Sequence, residues 1–202
     1  MARSGFDARA EISFTAVRRL PTKLPGLVLL APAVHGDARG FFMETFRADA
    51  WGAAGIANDF VQDNHSRSRR GTLRGIHYQT HPGQAKLVRV ACGRVLDVVV
   101  DLRRGSPTFG EWESVELDDE QGLQLYIPIG FGHGFCVLSE FADFVYKCTA
   151  YYDAATEAGI RFDDPEVGIR WPEDVELIFS DRDRDAPRLA EVGGSLPFRY
   201  DG

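Results

Sequence analysis

Apolar residues in this chain gather in short runs separated by glycine, proline and aspartate. The clearest runs cover residues 86–91, 95–102, 114–117, 123–128, 134–138 and 144–151. They are rich in β-branched and aromatic side chains and have the length of strands. Gly93-Arg94 falls between two runs and predicts a tight hairpin, and residues 118–122 (DDEQG) predict a turn between two others. Helical signals are confined to 48–54 and 186–192, each followed by a glycine. Many evenly spaced strands without a βαβ rhythm predict an all-β fold, a sandwich or barrel with a few short helices. Nothing in the pattern marks a linker or a repeat. The expectation is one domain over 1–202, with residues 1–12 and 193–202 peripheral.

The composition fits a globular chain: 44% hydrophobic and 26% charged over 202 residues. A net charge of −7 argues against nucleic acid or an anionic membrane as a partner, although a local basic cluster could still hold a small anion. The three cysteines, Cys92, Cys136 and Cys148, are widely spaced in apolar surroundings and read as reduced core thiols. The early apolar stretch 27–34 is broken by Pro32 and is too short to cross a bilayer, and no secretory leader is recognisable. The expectation is therefore a cytoplasmic protein.

Candidate chemistry comes from polar residues inside strand-like patterns. Residues 39–46 (RGFFMETF) place Arg39 and Glu44 around an apolar core and also read as an amphipathic edge strand. In residues 62–66 (QDNHS), Gln62 and Asn64 flank Asp63, and such amides offer the paired donors and acceptors that sugars and phosphates require. A polar loop explains this segment equally well. In residues 71–79 (GTLRGIHYQ), strict alternation puts Arg74 and Ile76 on one face and Leu73, Gly75 and His77 on the other. Gly75 leaves room for a ligand or a second backbone. Arg74, His77 and the following Lys86 would bring cations into a barrel, where an anionic ligand is the obvious partner.

Residues 128–133 (PIGFGH) have the form P-x-G-x-x-H, which resembles the second motif of the cupins, a family of double-stranded β-helix (jelly-roll) barrels. The first cupin motif brings an H-x-H pair, and here that stretch reads His77-Tyr78-Gln79, so a metal would lack ligands. The expectation is a cupin-like barrel without a metal. A metal-dependent oxygenase or isomerase stays open as an alternative.

Taken in order, the segments DARGFFMETF, QDNHS, GTLRGIHYQ, QAKLV, VLDVVVDLRRGSPTFG, YIPIGFGHGF, YKCTAYY, DPEVGIRWP and SDRD resemble the dTDP-4-dehydrorhamnose 3,5-epimerase family over about residues 25–190. The resemblance implies a cofactor-independent homodimer with strands crossing between subunits. Its substrate would be a dTDP-4-keto-6-deoxy sugar, inverted at C3 and C5. It makes His77 the base, Asp183 its carboxylate, Tyr146 the acid and Lys86 the cation beside the C4 oxygen. It makes Arg39, Glu44, Gln62, Asn64, Arg74, His133, Glu157 and Arg182 nucleotide-sugar contacts, with Asp63 in the same QDN stretch, and Tyr152 a partner of the thymine. Arg182 stands where the family often has lysine, which keeps the charge and changes the geometry. Simpler readings stay available. Asp183 lies in an acidic, arginine-rich stretch, Tyr146 and Tyr152 suit a core, and Lys86 suits a strand edge. A mono-epimerase or a non-catalytic nucleotide-sugar-binding barrel would share most of these residues.

Overall fold

Side-chain alternation sorts this chain into three apolar layers, and two β-sheets separate them. The structure, a computed structural model, describes residues 17–201, so the expectation for residues 1–12 lies outside it. The elements run β1 (Val17–Leu20), β2 (Val28–Pro32), β3 (Val34–Asp37), β4 (Gly40–Met43), α1 (Ala48–Ala53), β5 (Gln62–Arg69), β6 (Leu73–Gln79) and β7 (Lys86–Cys92). They continue with β8 (Arg94–Asp101), β9 (Trp112–Asp118), β10 (Gln124–Ile127), β11 (Phe131–Val137), β12 (Phe141–Cys148), β13 (Glu157–Gly159), α2 (Asp181–Arg184) and α3 (Leu189–Val192). The six runs read as strands are strands, with ends displaced by at most three residues.

One sheet has the order β1-β2-β10-β7-β12-β5 and faces a second with the order β13-β6-β11-β8-β9, while β3 and β4 pair only with each other. All pairings between these strands are antiparallel. This is the jelly-roll barrel of the expected all-β class.

The hairpin expected at Gly93-Arg94 does not form. β7 pairs with β10 and β12 while β8 pairs with β9 and β11, so Gly93 is a corner between opposite sheets. Its φ of +82° and the 2.2 Å that would separate an added Cβ from the Phe141 carbonyl oxygen leave glycine alone able to turn there. The 118–122 turn also passes from one sheet to the other. The Asp118 carboxylate closes it by accepting from the N–H groups of Glu120 and Gln121 at 3.0 and 2.7 Å.

The central layer, between the sheets, includes Leu29, Val88, Val90, Val95, Val99, Leu125, Phe135 and Phe144. Beyond the six-stranded sheet, Trp51 of α1 packs with Leu30, Ile56 and Leu87. Beyond the five-stranded sheet, Ile76, Tyr78, Val98 and Val100 meet Ile160, Phe162, Leu189, Leu196 and Phe198. The tail after residue 193 is thus not peripheral. Leu196 and Phe198 are buried in that layer, and Arg199 bridges in parallel to Arg104. Each such apolar side chain contributes about 1.5–3 kcal/mol when fully buried, enough to anchor a short segment. The helix expected over 186–192 is limited to Leu189–Val192, and the short α2 before it was not foreseen. Cys136 and Cys148 are buried thiols as expected, whereas Cys92 is half-exposed.

Candidate active site

The register of β6 decides which side chains reach the barrel interior. His133 of β11 pairs with His77, but Phe135 pairs with Arg74, so β6 carries one residue more than its partner between these pairs. This bulge reverses the alternation. Leu73 and Ile76 both enter the outer apolar layer, while Arg74 and His77 line the interior recess together. The face assignment from strict alternation is corrected accordingly. At the bulge Gly75 has φ +139°, and an added Cβ would lie 2.4 Å from the Gly134 Cα. The room that glycine leaves is taken by a backbone and not by a ligand.

Two adjoining recesses of about 460 and 380 Å³ open at this place and share Ser66, His77, Lys86, Tyr146, Tyr152 and Glu157. A shallower hollow of about 660 Å³ beside α1 is lined by none of the predicted site residues. Lys86 and Tyr146 are the inward residues of neighbouring strands β7 and β12, and the ammonium lies 5.9 Å from the centre of the phenol ring. Burial pushes the Tyr146 phenol above its ordinary value, more than Asn64 and Arg74 lower it, so the group is a proton donor at neutral pH. Burial lowers the Lys86 ammonium against the pull of Cys148, Glu157 and Asp97. The Cys148 thiol, pushed up to about 11 chiefly by burial, stays neutral beside them.

His77 Nε2 lies 2.6 Å from Asp183 Oδ1. Asp183 is in α2, where Ser180 caps the helix by accepting from the Asp183 N–H at 3.1 Å. Asp183 is only 5% exposed, so the solvated alternative is excluded. Burial alone would raise its carboxyl. The hydrogen bond and charge of His77, with hydrogen bonds to Ser180, outweigh this and hold it below the ordinary aspartate range.

A second pair lies deeper. His133 Nε2 is 2.8 Å from Asp97 Oδ2, and Asp97 is completely buried with Oδ1 unpartnered. Burial raises the Asp97 carboxyl, opposed by His133 and Lys86. The floor is apolar, with Phe135 and Phe144 stacked at 4.2 Å. Gln79, which stands at the missing second histidine of the cupin pattern, is structural. It donates to the Asp153 carbonyl at 2.9 Å and accepts from the Asp153 N–H at 3.1 Å. Among the described residues no cluster of three or more His, Cys, Asp or Glu is arranged to hold a metal ion.

Other predicted residues divide clearly. Arg74, whose Nε donates to Ser68 Oγ at 3.2 Å, lines the larger recess with His133, Tyr152, Glu157 and Arg182. Gln62 and Asn64 line the smaller one, and Gln62 also accepts from the Tyr152 N–H at 2.9 Å. Asp63 points to the opposite face of its strand, where it meets Lys147 at 2.9 Å. Arg39, paired with Asp37, and Glu44, 3.8 Å from Arg47, line neither recess. The sequence reading missed Asp97. The signal was present as one carboxylate within the apolar run VLDVVV, in phase with the inward Val95 and Val99.

Comparison with known proteins fits this arrangement. A sequence profile described as dTDP-4-dehydrorhamnose 3,5-epimerase matches residues 21–191. A Neisseria gonorrhoeae protein of that name is 53% identical over 165 residues, which are 81% of this chain and 50% of the relative, so the chain spans half of that protein's length. A Streptomyces bikiniensis dTDP-4-dehydro-6-deoxyglucose 3-epimerase is 44% identical, over 88% of this chain and 92% of its own. Among solved structures, the Legionella pneumophila dTDP-6-deoxy-D-glucose-3,5-epimerase in complex with dTDP-4-keto-L-rhamnose has a TM-score of 0.89 at 45% identity, covering 93% of this chain and 100% of that one. With most of its length matched by the profile and a close structural counterpart, the chain belongs to the dTDP-4-dehydrorhamnose 3,5-epimerase family.

Proposed function

We propose that the chain inverts C3 and C5 of a dTDP-4-keto-6-deoxy sugar by proton transfer through an enolate, with no cofactor. The observation that carries this reading is the 2.6 Å His77–Asp183 pair opening on the same recess as Lys86 and Tyr146. His77 removes the proton beside the ketone and becomes imidazolium, which the ionised Asp183 stabilises. The electron pair of the broken C–H bond forms a double bond to C4 while the carbonyl π pair moves onto the C4 oxygen, where the Lys86 ammonium meets the growing charge; the reverse shift re-forms the ketone on reprotonation. Tyr146, kept protonated by burial, returns a proton to the other face of the carbon, and exchange with solvent restores both groups.

Arg74 suits the diphosphate, since guanidinium pairs with phosphate oxygens. His133, Gln62 and Asn64 offer hydrogen bonds to the sugar nucleotide, and Tyr152, 53% exposed, offers its ring to the base. A homodimer belongs to the same reading. Phe41 and Phe42, 62% and 60% exposed on the β3–β4 hairpin, need cover, and a second copy would bring Arg39 of that hairpin and Glu44 just after it to its neighbour's recess. A cytoplasmic setting is supported by the free thiols, and no helix among the described residues is long and apolar enough to cross a membrane.

Incubation with the keto sugar in D2O, read by NMR and mass spectrometry, tests the proposal. Deuterium at both C3 and C5 is expected. The Streptomyces relative's name favours one second reading, inversion at C3 alone, in which only C3 exchanges. No exchange at either carbon would leave a binding barrel without catalysis.

A further inference from the structure

Tyr152 stands in the connection between β12 and β13, residues 149–156, which belongs to no strand or helix. It is exposed, so packing alone does not hold its ring. Its phenol end is tied to Glu157 at 2.7 Å. Its backbone end is held by three glutamines from separate parts of the barrel. Gln84 Nε2, between β6 and β7, donates to the Ala150 carbonyl at 2.8 Å. Gln62 Oε1, at the start of β5, accepts from the Tyr152 N–H. Gln79, at the end of β6, grips Asp153 at both its N–H and its carbonyl, and its Nε2 also donates to Thr156 Oγ1 at 3.3 Å. Gln79 is buried, both of its amide hydrogens are committed and its oxygen already accepts, so it is spent on the loop and not on a ligand. The position at which the cupin pattern would carry a metal ligand therefore serves this loop.

From this geometry we infer that Gln79, with Gln84 in support, is a positioning residue for recognition of the nucleotide base: the two side chains fix the backbone on either side of Tyr152 and so present its ring ready to stack. An irregular loop without such holds would have to be ordered when the nucleotide arrives, and that ordering is subtracted from the binding free energy. Gln62 holds the same loop, but it also faces the nucleotide sugar, so its loss would not isolate the effect. The inference rests on the reading of Tyr152 as the partner of the base. It concerns affinity and leaves the proton transfers at His77 and Tyr146 untouched.

The experiment compares Gln79→Met, Gln84→Met, Tyr152→Ala and the double variant Gln79→Met/Tyr152→Ala. Methionine keeps the length of glutamine and removes its amide. Nucleotide affinity is measured by calorimetry with dTDP, and turnover of the keto sugar by kcat and KM. Tyr152→Ala is expected to raise the dTDP Kd about 5- to 150-fold, the range for losing one base–aromatic stack. Gln79→Met should raise it about 3- to 10-fold, the cost of ordering a side chain on binding, and Gln84→Met by less in the same direction. KM should rise with Kd in both, while kcat at saturation stays within about twofold, because affinity is lost equally from the ground and transition states. In the Tyr152→Ala background the loss of Gln79 should add less than about twofold to Kd, since the ring it presents is already gone. Equal rises in Kd with and without Tyr152 would overturn the inference, and so would a fall in kcat as large as the rise in KM. If Gln79→Met does not fold, Gln84→Met and its own Tyr152→Ala double variant carry the same readings. Tyr152→Ala separates the two failures: an unchanged dTDP Kd in that variant overturns the reading of Tyr152 as the base's partner, whereas a raised Kd there with none in the glutamine variants overturns the positioning role alone.

Discussion

His77 and His133 face each other in the β6–β11 ladder, and each places Nε2 on a carboxylate, at 2.6 and 2.8 Å. The two pairs are otherwise built in opposite ways. Asp183 sits at the rim on a four-residue helix, with a hydrogen-bonding cap beneath it, and its carboxyl is held low. Asp97 sits inside a central strand with one oxygen unpartnered, and burial drives its carboxyl up. A carboxylate whose charge is well supported is suited to stabilise an imidazolium that comes and goes. A carboxylate stripped of water is bound to its local partners, and its loss is felt first as lost structure. On the proposed mechanism, the same two residue types therefore serve turnover at the rim and framework in the depth.

The largest expected effect falls on the rim pair. Asp183→Asn keeps the shape but removes the charge that stabilises imidazolium, and kcat should fall by about 10²–10⁴-fold, the range for disabling general acid–base catalysis. The melting temperature near neutral pH should fall only slightly, by the stability that the lowered carboxyl contributes. A rate loss smaller than that of Asp97→Asn would reverse the comparison. Next comes Lys86→Met. Loss of a preorganised donor at a developing oxyanion costs about 10²–10³-fold in kcat, here with no loss of stability, because burial already disfavours that ammonium. A fall in melting temperature without a fall in kcat would show the lysine to be structural.

Asp97→Ala is expected to act in the other sense. It leaves the buried His133 Nε2 without its hydrogen-bond partner, at a cost of about 1–3 kcal/mol. Denaturant unfolding should show this as an earlier midpoint with an unchanged slope. An equally large stability loss in Asp183→Ala would remove the distinction between rim and depth.

How much of this was legible in the sequence follows from what each residue contrasts with. His77, Lys86 and Tyr146 interrupt apolar strand patterns, and that interruption survives folding as a polar wall in an apolar barrel. Asp97 carried the same signal, but it was absorbed into the strand that its valines announce. The face shared by Arg74 and His77 was hidden, because period-two reasoning does not register an extra residue supplied by a bulge. The corner at Gly93 was misread for a related reason. A two-residue glycine turn looks alike whether its strands pair or part to opposite sheets, and only the partners of β7 and β8 decide. Asp63 was carried along by its neighbours Gln62 and Asn64, although alternation sends it to the other face, where Lys147 waits. The anchoring of the tail by Leu196 and Phe198 depends on a layer built by residues distant in sequence, which no local pattern displays.

The smallest expected effect is the most direct probe of the contrast, since the two carboxyl groups should link stability to pH with opposite signs. Both start from an ordinary aspartate value of 3.8. Asp183 is held lower in the folded state, so its stabilising contribution is complete above that value and is lost as the pH falls from there through the lowered folded value. Asp97 is raised, so the folded chain binds its proton more readily than the unfolded chain does. Its ionisation costs stability, and that cost is relieved as the pH falls through the raised value. Melting temperatures of the wild type, Asp183→Asn and Asp97→Asn, recorded from about pH 6 to about pH 3, isolate each term by difference. Between wild type and Asp183→Asn the advantage of the wild type should shrink on acidification. Between wild type and Asp97→Asn the balance should move toward the wild type over the same range. Slopes of equal sign would mean that the deep carboxyl is not governed by its burial, and the two pairs would then differ only in position.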